Sequence, residues 1–305
     1  MTGGNAASAG AALRELREMA VGQESGEQVK ASSRASDLGV RIVSALVLAP
    51  VALAAVWFGG WIFSLLLAVA AVLMSVETAR LVFGSDRFAD FAPLATMALL
   101  AILLASMGLS AAAVALAAAG IAFSLAARSW KGEPLWPALI AYPYVMLPLI
   151  ALIWMRGDEA YGLIVIFWLL AIVWAIDICA YFAGRFIGGP KLAPRISPKK
   201  TWAGLIGGIA GAVVVSLGFS FWLGEGAPAI LAVIAVCLTV LEQAGDFAES
   251  ALKRRAGVKD SGMLIPGHGG ILDRVDGLIA VILGAALLGM IHNPAQPAAG
   301  VMIWP

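Results

Sequence analysis

The sequence predicts an all-α polytopic membrane protein with about nine transmembrane helices and a cytoplasmic N-terminus. The composition is the first indication, because 61% of the 305 residues are hydrophobic and only 13% are charged. Soluble domains average about 45–50% apolar and about 25% charged residues. The second indication is a series of apolar runs close to the ~20 residues that cross a bilayer as a helix. The third is the distribution of Lys and Arg.

Nine apolar runs separated by short polar breaks define the predicted helices. They cover residues 40–58, 61–79, 91–108, 110–127, 137–155, 161–182, 203–223, 228–252 and 273–291. The fifth run contains Pro143 and Pro148. Proline is tolerated in membrane helices because neighbouring groups can satisfy the backbone that it frees. We therefore keep this run as one helix.

The basic residues orient these helices. With the N-terminus inside and nine alternating spans, 19 of the 20 Lys and Arg residues fall on one side, and only Arg156 falls on the other. Cytoplasmic loops of membrane proteins carry an excess of Lys and Arg. The split supports both the number of spans and the orientation, since one missing helix would scatter the later charges to the wrong side.

The eighth run contains charged residues at helical spacing. Glu242, Asp246, Glu249 and Lys253 follow one another at intervals of four, three and four, which places them on one helix face. An ionised carboxylate within a span costs about 2.5–3.5 kcal/mol on insertion scales, so it usually has a function. For Asp246 we favour a function, with Gly245 leaving room for a ligand. For Glu242 a solvated turn where the helix leaves the membrane remains an equal alternative.

The ninth run begins with Asp273 and Asp276, which can point the same way from a helix start. Carboxylates at this position can simply cap the helix and complement its dipole. Here, however, they flank Arg274 and follow the glycine-rich stretch 267–270, whose backbone N–H groups could approach a phosphate. Carboxylates beside phosphate-binding groups suggest Mg²⁺ held between protein and phosphate oxygens.

A second basic loop precedes the seventh run and contains the stretch RISPKKTW. Ser197, Lys199, Lys200 and Thr201 offer two cations and two hydroxyl groups. A loop of this kind can merely contact anionic lipid head groups. Opposite the other basic loop, it is better interpreted as a second wall of a phosphate site. Asp177, inside the sixth run, is a further acidic residue for which a structural hydrogen bond and a direct role are equally compatible.

The segment Ser250–Asp276 carries a specific resemblance. Its sequence, SALKRRAGVKDSGMLIPGHGGILDRVD, resembles the hallmark segment of the integral-membrane phosphatidate cytidylyltransferases, also called CDP-diacylglycerol synthases. Every fixed position of that pattern is met, namely Ser250, Lys253, Arg254, Lys259, Asp260, Pro266, His268, Gly269, Gly270, Asp273, Arg274 and Asp276. The segment 177–202 resembles the family's other motif, although Ala203 stands where the family often has Glu.

The resemblance implies a division of the chain and a reaction. We expect a flexible polar tail at 1–38, transmembrane helices 1–5 at 39–160, and a catalytic region at 161–305 with helices 6–9 and the two basic loops. The implied reaction joins CTP and phosphatidic acid to give CDP-diacylglycerol and pyrophosphate. The short segments between the spans and the side that carries the Lys and Arg residues lead us to expect a bacterial inner membrane with the site facing the cytoplasm. The implied partners are the substrates, the lipid bilayer and a second copy in a homodimer, with no nucleic acid.

The resemblance also implies roles for the site residues. Asp246 and Asp273 are the first candidates as Mg²⁺ ligands, with Asp276 next, and the family's site holds more than one cation. Asp246, Asp273, Asp276, Lys259 and Arg274 form the expected catalytic group, in which the last two contact phosphate. Residues expected to bind or orient phosphate are Ser197, Lys199, Lys200, Thr201, Ser250, Lys253, Arg254, His268, Gly269 and Gly270.

Three alternatives differ from this interpretation. A CTP-dependent polyprenol or dolichol kinase has a distantly similar layout and would transfer the γ-phosphate. A CDP-alcohol phosphotransferase would show an Asp-Gly-x-x-Ala-Arg motif, which we do not find in the sequence. An ion or solute transporter could use Asp177, Glu242 and Asp246 within its spans, but the clustering of charge at one side of the membrane favours an enzyme.

Overall fold

The structure is a computed structural model that describes residues 44, 46–85, 87–224, 227–262 and 269–304. The chain divides into two units, Met1–Ala49 and Pro50–Pro305. The described part of the first unit, residues 44 and 46–49, is helical. The predicted tail, 1–38, lies outside the described residues. The site and the contacts that form it lie within the second unit.

The all-α polytopic prediction is confirmed. Within the described residues, eight helices are long and apolar enough to cross a membrane, and a shorter apolar helix, α1 (Leu46–Phe58), corresponds to the first predicted span. The eight are α2 (Gly60–Thr78, continued by a π-helical turn at Ala79–Phe83), α3 (Phe88–Ser106), α4 (Ser110–Trp130), α5 (Trp136–Arg156), α6 (Gly162–Phe186), α7 (Trp202–Leu223), α8 (Pro228–Arg255) and α9 (Leu272–His292).

Two helices continue beyond the ends that hydropathy predicted. Helix α6 ends at Phe186 instead of residue 182, and α8 ends at Arg255 instead of residue 252. The additional turns contain Arg185 in α6 and Lys253 to Arg255 in α8. Cations are favoured at helix C-termini, where the dipole is negative, so a helix can continue after its apolar run has ended.

The basic loop between α6 and α7 forms a β-hairpin that the sequence patterns did not predict. Strand β1 (Lys191–Ala193) pairs antiparallel with β2 (Ser197–Thr201), with Lys191 opposite Thr201 and Ala193 opposite Ser197. The stretch SPKKT is therefore an ordered strand that leads directly into α7. This order fixes the direction in which its lysines leave the backbone.

A short helix after α9 was also not predicted. All six residues of α10 (Pro297–Met302) are buried. Asp158, in the α5–α6 connection, accepts hydrogen bonds from the backbone N–H groups of Ala298 and Ala299 at 3.1 and 3.2 Å. Its other carboxylate oxygen accepts from the N–H groups of Ala160 and Tyr161 at 3.1 Å. One buried carboxylate thus fixes two helix starts.

Small residues allow the closest helix pairs to form. A Cβ atom on Gly211 of α7 would lie 2.6 Å from Cys179 Sγ and 3.0 Å from the Ala175 oxygen of α6. Between α8 and α9, a Cβ atom on Gly245 would lie 2.9 Å from the Asp276 carbonyl oxygen. Backbones that approach this closely are common where small residues line membrane-helix interfaces. The contact between α8 and α9 brings together the two charged segments found in the sequence.

Candidate active site

The charged face of α8 lies inside the protein. Glu242 and Glu249 are 3% and 0% exposed, and Asp246 and Lys253 are partly buried. The alternative that Glu242 belongs to a solvated exit turn is therefore wrong. Its carboxylate accepts a hydrogen bond from the side-chain amide of Gln243. Buried charges need partners of this kind because transfer out of water is costly.

Asp246 connects α8 to the hairpin. The ammonium group of Lys200, from β2, forms an ion pair with Asp246 Oδ2. The same ammonium lies 5.1 Å from the centre of the Phe247 ring. The hydroxyl of Ser250, one turn along α8, donates to Asp246 Oδ1 at 3.2 Å. The basic hairpin thus contacts the acidic face of α8.

Asp273, in the first turn of α9, accepts hydrogen bonds at both of its oxygens. Lys253 Nζ lies 2.7 Å from Oδ1 and also 2.9 Å from Glu249 Oε2, so it bridges two carboxylates. Oδ2 accepts from the backbone N–H and the hydroxyl of Ser261 and from the N–H of Gly270, each at 2.9 Å. Asp273 therefore joins Ser261 to Gly270, and these hydrogen bonds go to residues before α9 and not to the helix N–H groups of the capping alternative.

Asp276, in the second turn of α9, lies close to acidic side chains of α8. The N–H of Gly277 donates to Asp276 Oδ1 at 2.8 Å. Asp246 and Glu249 are close enough to act on Asp276. Neighbouring carboxylates create a demand for positive charge at this position.

These carboxylates fit a hard cation that is completed by a substrate. The described residues hold no group of three or more His, Cys, Asp or Glu side chains arranged around one point. Mg²⁺ is usually held by one or two carboxylates together with phosphate oxygens and waters. Asp246, Asp273 and Asp276 offer carboxylates of this kind. The ammonium of Lys253 takes the place of a cation on Asp273 Oδ1, and that of Lys200 does so on Asp246 Oδ2.

A polar cavity opens beside this group, between α6, the hairpin, α7 and α8. Its volume is about 320 Å³, and its lining includes Asp177, Arg185, Lys199, Lys200 and Gln243. Arg185 donates to the hydroxyl of Tyr181 at 2.9 Å. Cavities of small-molecule sites measure about 300–1,000 Å³. Asp177 and the two lysines of SPKKT thus lie around one cavity.

Other predicted residues have different surroundings. Thr201 is buried at the start of α7, where its hydroxyl accepts the N–H of Gly204 at 3.1 Å as a helix cap. The guanidinium of Arg254 donates to the Val258 carbonyl at 3.2 Å. Lys259, in the loop after α8, and Arg274, on α9, are exposed. Ser197 begins β2 and is half-buried.

The glycine-rich stretch only partly matches the predicted phosphate nest. His268 lies outside the described residues. Gly269 has a left-handed backbone, with φ of 84°, which favours glycine. The N–H of Gly270 donates to Asp273, so a protein carboxylate already occupies that donor. In this conformation these glycines serve the packing of the loop.

Glu77 belongs to the site's surroundings and was not predicted from the sequence. This residue is the single acidic residue in the second predicted span, 61–79, and that isolation was an available signal. Its buried carboxylate accepts from the hydroxyl of Ser261 and from the N–H groups of Ile271 and Leu272, each at 2.9 Å. A residue from the first half of the chain therefore holds the start of α9.

Comparisons with known proteins identify the family of the chain. The sequence model of a cytidylyltransferase family matches residues 39–292, a range that includes Glu77 and the whole site. A phosphatidate cytidylyltransferase of Brucella suis is 41% identical over 272 residues, covering 87% of this chain and 98% of the relative. One of Pseudomonas aeruginosa is 36% identical over 265 residues, covering 81% and 96%. One of Bacillus subtilis is 46% identical over 128 residues, covering 42% and 48%.

Proposed function

The chain belongs to the cytidylyltransferase family, and on that premise we propose that the charged site between α8, α9 and the hairpin performs its chemistry. The protein has phosphatidate cytidylyltransferase activity, which converts CTP and phosphatidic acid into CDP-diacylglycerol and pyrophosphate. The observation that carries the placement is the convergence of Lys200, Asp246, Lys253, Asp273 and Asp276 from three elements of an otherwise apolar helical protein.

The reaction is a displacement at the α-phosphorus of CTP. An oxygen of the lipid phosphate forms a bond to this phosphorus, and the bond to the oxygen that bridges the α- and β-phosphates breaks. Pyrophosphate leaves with that electron pair. The lipid phosphate is already anionic near pH 7, because the second pKa of such groups is about 6. The site therefore has to position two polyanions and cancel their repulsion, and it needs no strong general base.

The lysines supply this positive charge. Lys199 and Lys200 line the 320 Å³ cavity, which gives the phosphates of one substrate a basic wall. Lys253 stands between Glu249 and Asp273 on the opposite side of the acidic group. Arg274 and Lys259 are exposed, and we propose that they contact the outer phosphates of the substrates. Ser250 orients Asp246 through its hydrogen bond to Oδ1.

Asp246 and Asp273 are our first candidates to hold Mg²⁺, with Asp276 next or as a ligand of a second cation. The metal would neutralise phosphate charge and polarise the reacting phosphoryl group. The protein brings the carboxylates together through the packing of α8 against α9. Hydrogen bonds from Ser261 and Gly270 hold Asp273 in position.

The setting of the enzyme is also part of the proposal. Its apolar helices make it an integral membrane protein. The concentration of Lys and Arg on one side supports a site that faces the cytoplasm of a bacterial inner membrane. Family resemblance supports a homodimer, which mass measurement of the purified protein in lipid nanodiscs would test. A monomeric mass would contradict it.

The direct test follows label from CTP. Purified protein with phosphatidic acid and Mg²⁺ should incorporate label from the α-phosphate into lipid and release pyrophosphate. Asp273→Asn should lose about 100-fold or more of this activity, because an electrostatic group at the reacting centre is removed. The control is Asp90→Asn, which changes a partly exposed carboxylate that pairs with Ser85.

Each outcome distinguishes one alternative. Transfer of γ-label to a lipid alcohol would indicate a kinase and contradict the proposal. Full activity of Asp273→Asn would leave the reaction in place and overturn the proposed role of this residue. Equal losses in both variants would show that the assay reports general damage to the fold.

A further inference from the structure

We propose that Glu77 of α2 is a positioning residue of the cytidylyl transfer. It holds the loop before α9 in the conformation that places Asp273 and Asp276 opposite α8. This inference rests on the proposed placement of the active site. It concerns a residue 196 positions before Asp273 and outside every motif found in the sequence.

The surroundings of Glu77 are those of a buried acceptor. Its side chain is 1% exposed. Oε1 accepts the N–H of Ile271, and Oε2 accepts the N–H of Leu272 and the hydroxyl of Ser261, all at 2.9 Å. The first N–H groups of a helix lack partners within the helix. Glu77 supplies them from another helix, and its negative charge meets the positive end of the α9 dipole.

Two glycines, one at each described end of this loop, face the carboxylate. A Cβ atom on Gly262 would lie 2.6 Å from Glu77 Oε1, and one on Gly270 would collide with Glu77 and Ser261. Neither glycine has a positive φ, so local backbone geometry does not require a glycine at either position. A glycine is required because Glu77, and at Gly270 also Ser261, occupies the space that a side chain would need. The second glycine of the His-Gly-Gly element thus has a physical reason that involves α2.

Ser261 connects Glu77 to the proposed site. Its hydroxyl oxygen lies 2.9 Å from Glu77 Oε2 and 2.9 Å from Asp273 Oδ2. A hydroxyl has one proton to donate, so that proton lies between two carboxylates. The same Ser261 donates its backbone N–H to Asp273. A shift of Glu77 would therefore move Ser261 and, with it, the carboxylate of Asp273.

The backbone directly after Glu77 is also unusual. Helix α2 ends at Thr78 and continues as a π-helical turn from Ala79 to Phe83. Insertions of this kind in α-helices are frequent at functional sites. Glu77 faces the loop and not the 320 Å³ cavity, whose lining it does not join. Its effect on the reaction must therefore pass through Asp273 and α9.

The test uses Glu77→Gln with Thr78→Val as the matched control. Gln keeps the shape, but its NH₂ group would face an N–H or O–H donor at one of the two oxygen positions. Thr78 is the next residue and is equally buried, and its hydroxyl has no hydrogen-bond partner among the described residues. Ser261→Ala is the second variant, which removes the link and leaves Glu77 in place.

The expected result is a fall in kcat of about 10- to 100-fold for Glu77→Gln, as befits loss of charge-assisted hydrogen bonds. KM for phosphatidic acid should change less than threefold, and the Mg²⁺ concentration for half-maximal rate should rise. Ser261→Ala should show a smaller fall, and the double variant should be no worse than Glu77→Gln, since both act on one network. Thr78→Val should stay within twofold of the unchanged protein.

Hydrogen exchange provides a readout independent of activity. Amides of residues 269–276 should exchange at least tenfold faster in Glu77→Gln, and those of α3 should not change. Wild-type kcat and Mg²⁺ dependence in Glu77→Gln, or unchanged exchange at 269–276, would overturn the inference. If the unmodified protein transfers no α-label, the proposed function fails, and exchange still decides whether Glu77 holds the loop.

Discussion

At the scale of single residues, the site is a group of carboxylates, two of which pair with lysines from another element. Lys200, in the hairpin, pairs with Asp246 of α8. Lys253, also in α8, bridges Glu249 and Asp273. Charges in such surroundings must be paired because desolvation is costly. The arrangement gathers several acids in a small volume, and it holds lysine ammonium groups where substrate phosphates are proposed to bind.

Lys200 provides a test at this scale. Lys200→Met should reduce kcat/KM by about 10- to 100-fold, because a charge-assisted contact and a phosphate-binding cation are both lost. Lys191→Met is the control, since this lysine belongs to the same hairpin and is exposed. We would compare the two in the α-label assay. A loss that is equal in both would mean that the hairpin's general charge matters and that the pair with Asp246 does not.

Sequence patterns identified the residues of this site only where the signal was local. Asp246, Asp273 and Asp276 were found because spacing and motif mark them within a short stretch. Glu77 was not found, since its contact with Ser261 joins residues 184 positions apart. Thr201 was assigned to phosphate, whereas its hydroxyl caps α7. Hydroxyl groups serve both purposes, and only the fold shows which donor lies in front of them.

At the scale of elements, the approach of α8 to α9 determines where the acids meet. Gly245 was expected to leave room for a ligand beside Asp246, and this expectation is wrong. The space is filled by α9, because a Cβ atom on Gly245 would lie 2.9 Å from the Asp276 carbonyl oxygen and 2.8 Å from Ala280 Cβ. The glycine therefore permits close helix packing, which in turn places Asp276 near Asp246.

Gly245→Ala should lower stability and activity together. The added methyl meets backbone on α9, which cannot rotate away, and overpacking of this kind costs about 1–3 kcal/mol. Gly218→Ala in α7 is the control, because a Cβ atom there meets nothing within 4 Å. It should be neutral or stabilising by about 0.5–1 kcal/mol. Thermal unfolding followed by tryptophan fluorescence and the α-label assay would measure both effects.

The helices themselves could be predicted because apolar runs of this length have few other structures available. The hairpin could not, since strands of three and five residues give no clear alternation. Helix α10 was missed for a related reason. Its six residues are too few for a periodic pattern, and its start depends on Asp158 in a distant connection.

At the scale of the whole molecule, the charged site lies at one end of the helices, and the contacts of Asp158 with α10 lie at the other end. The acids, the hairpin and the polar cavity lie where α6 and α8 end and α7 and α9 begin. Asp158 and α10 lie where α6 begins and α9 ends. At the same end as Asp158, Arg156 donates to the Val56 and Trp57 carbonyls at the end of α1.

This polarity gives a test of orientation. In a variant with Cys179 and Cys237 replaced by Ala, a single cysteine would be introduced at Lys191 or at Met107. The hairpin position, Lys191→Cys, should resist a membrane-impermeant thiol reagent in intact spheroplasts and react after lysis. Met107→Cys, in the exposed turn after α3, should react before lysis. The reverse pattern would contradict the proposed cytoplasmic site.

The contact of Glu77 with the loop before α9 has a consequence for how members of this family can be recombined. The first five helices contain none of the motifs and could be taken for a membrane anchor. One of them, α2, nevertheless supplies the carboxylate of Glu77 that accepts the N–H groups of Ile271 and Leu272 at the start of α9. In a chimera that joins the first half of one relative to the second half of another, α2 and the loop before α9 come from different proteins. Crossovers between α2 and the loop should be tolerated only where Glu77 and its facing glycines are inherited as a set.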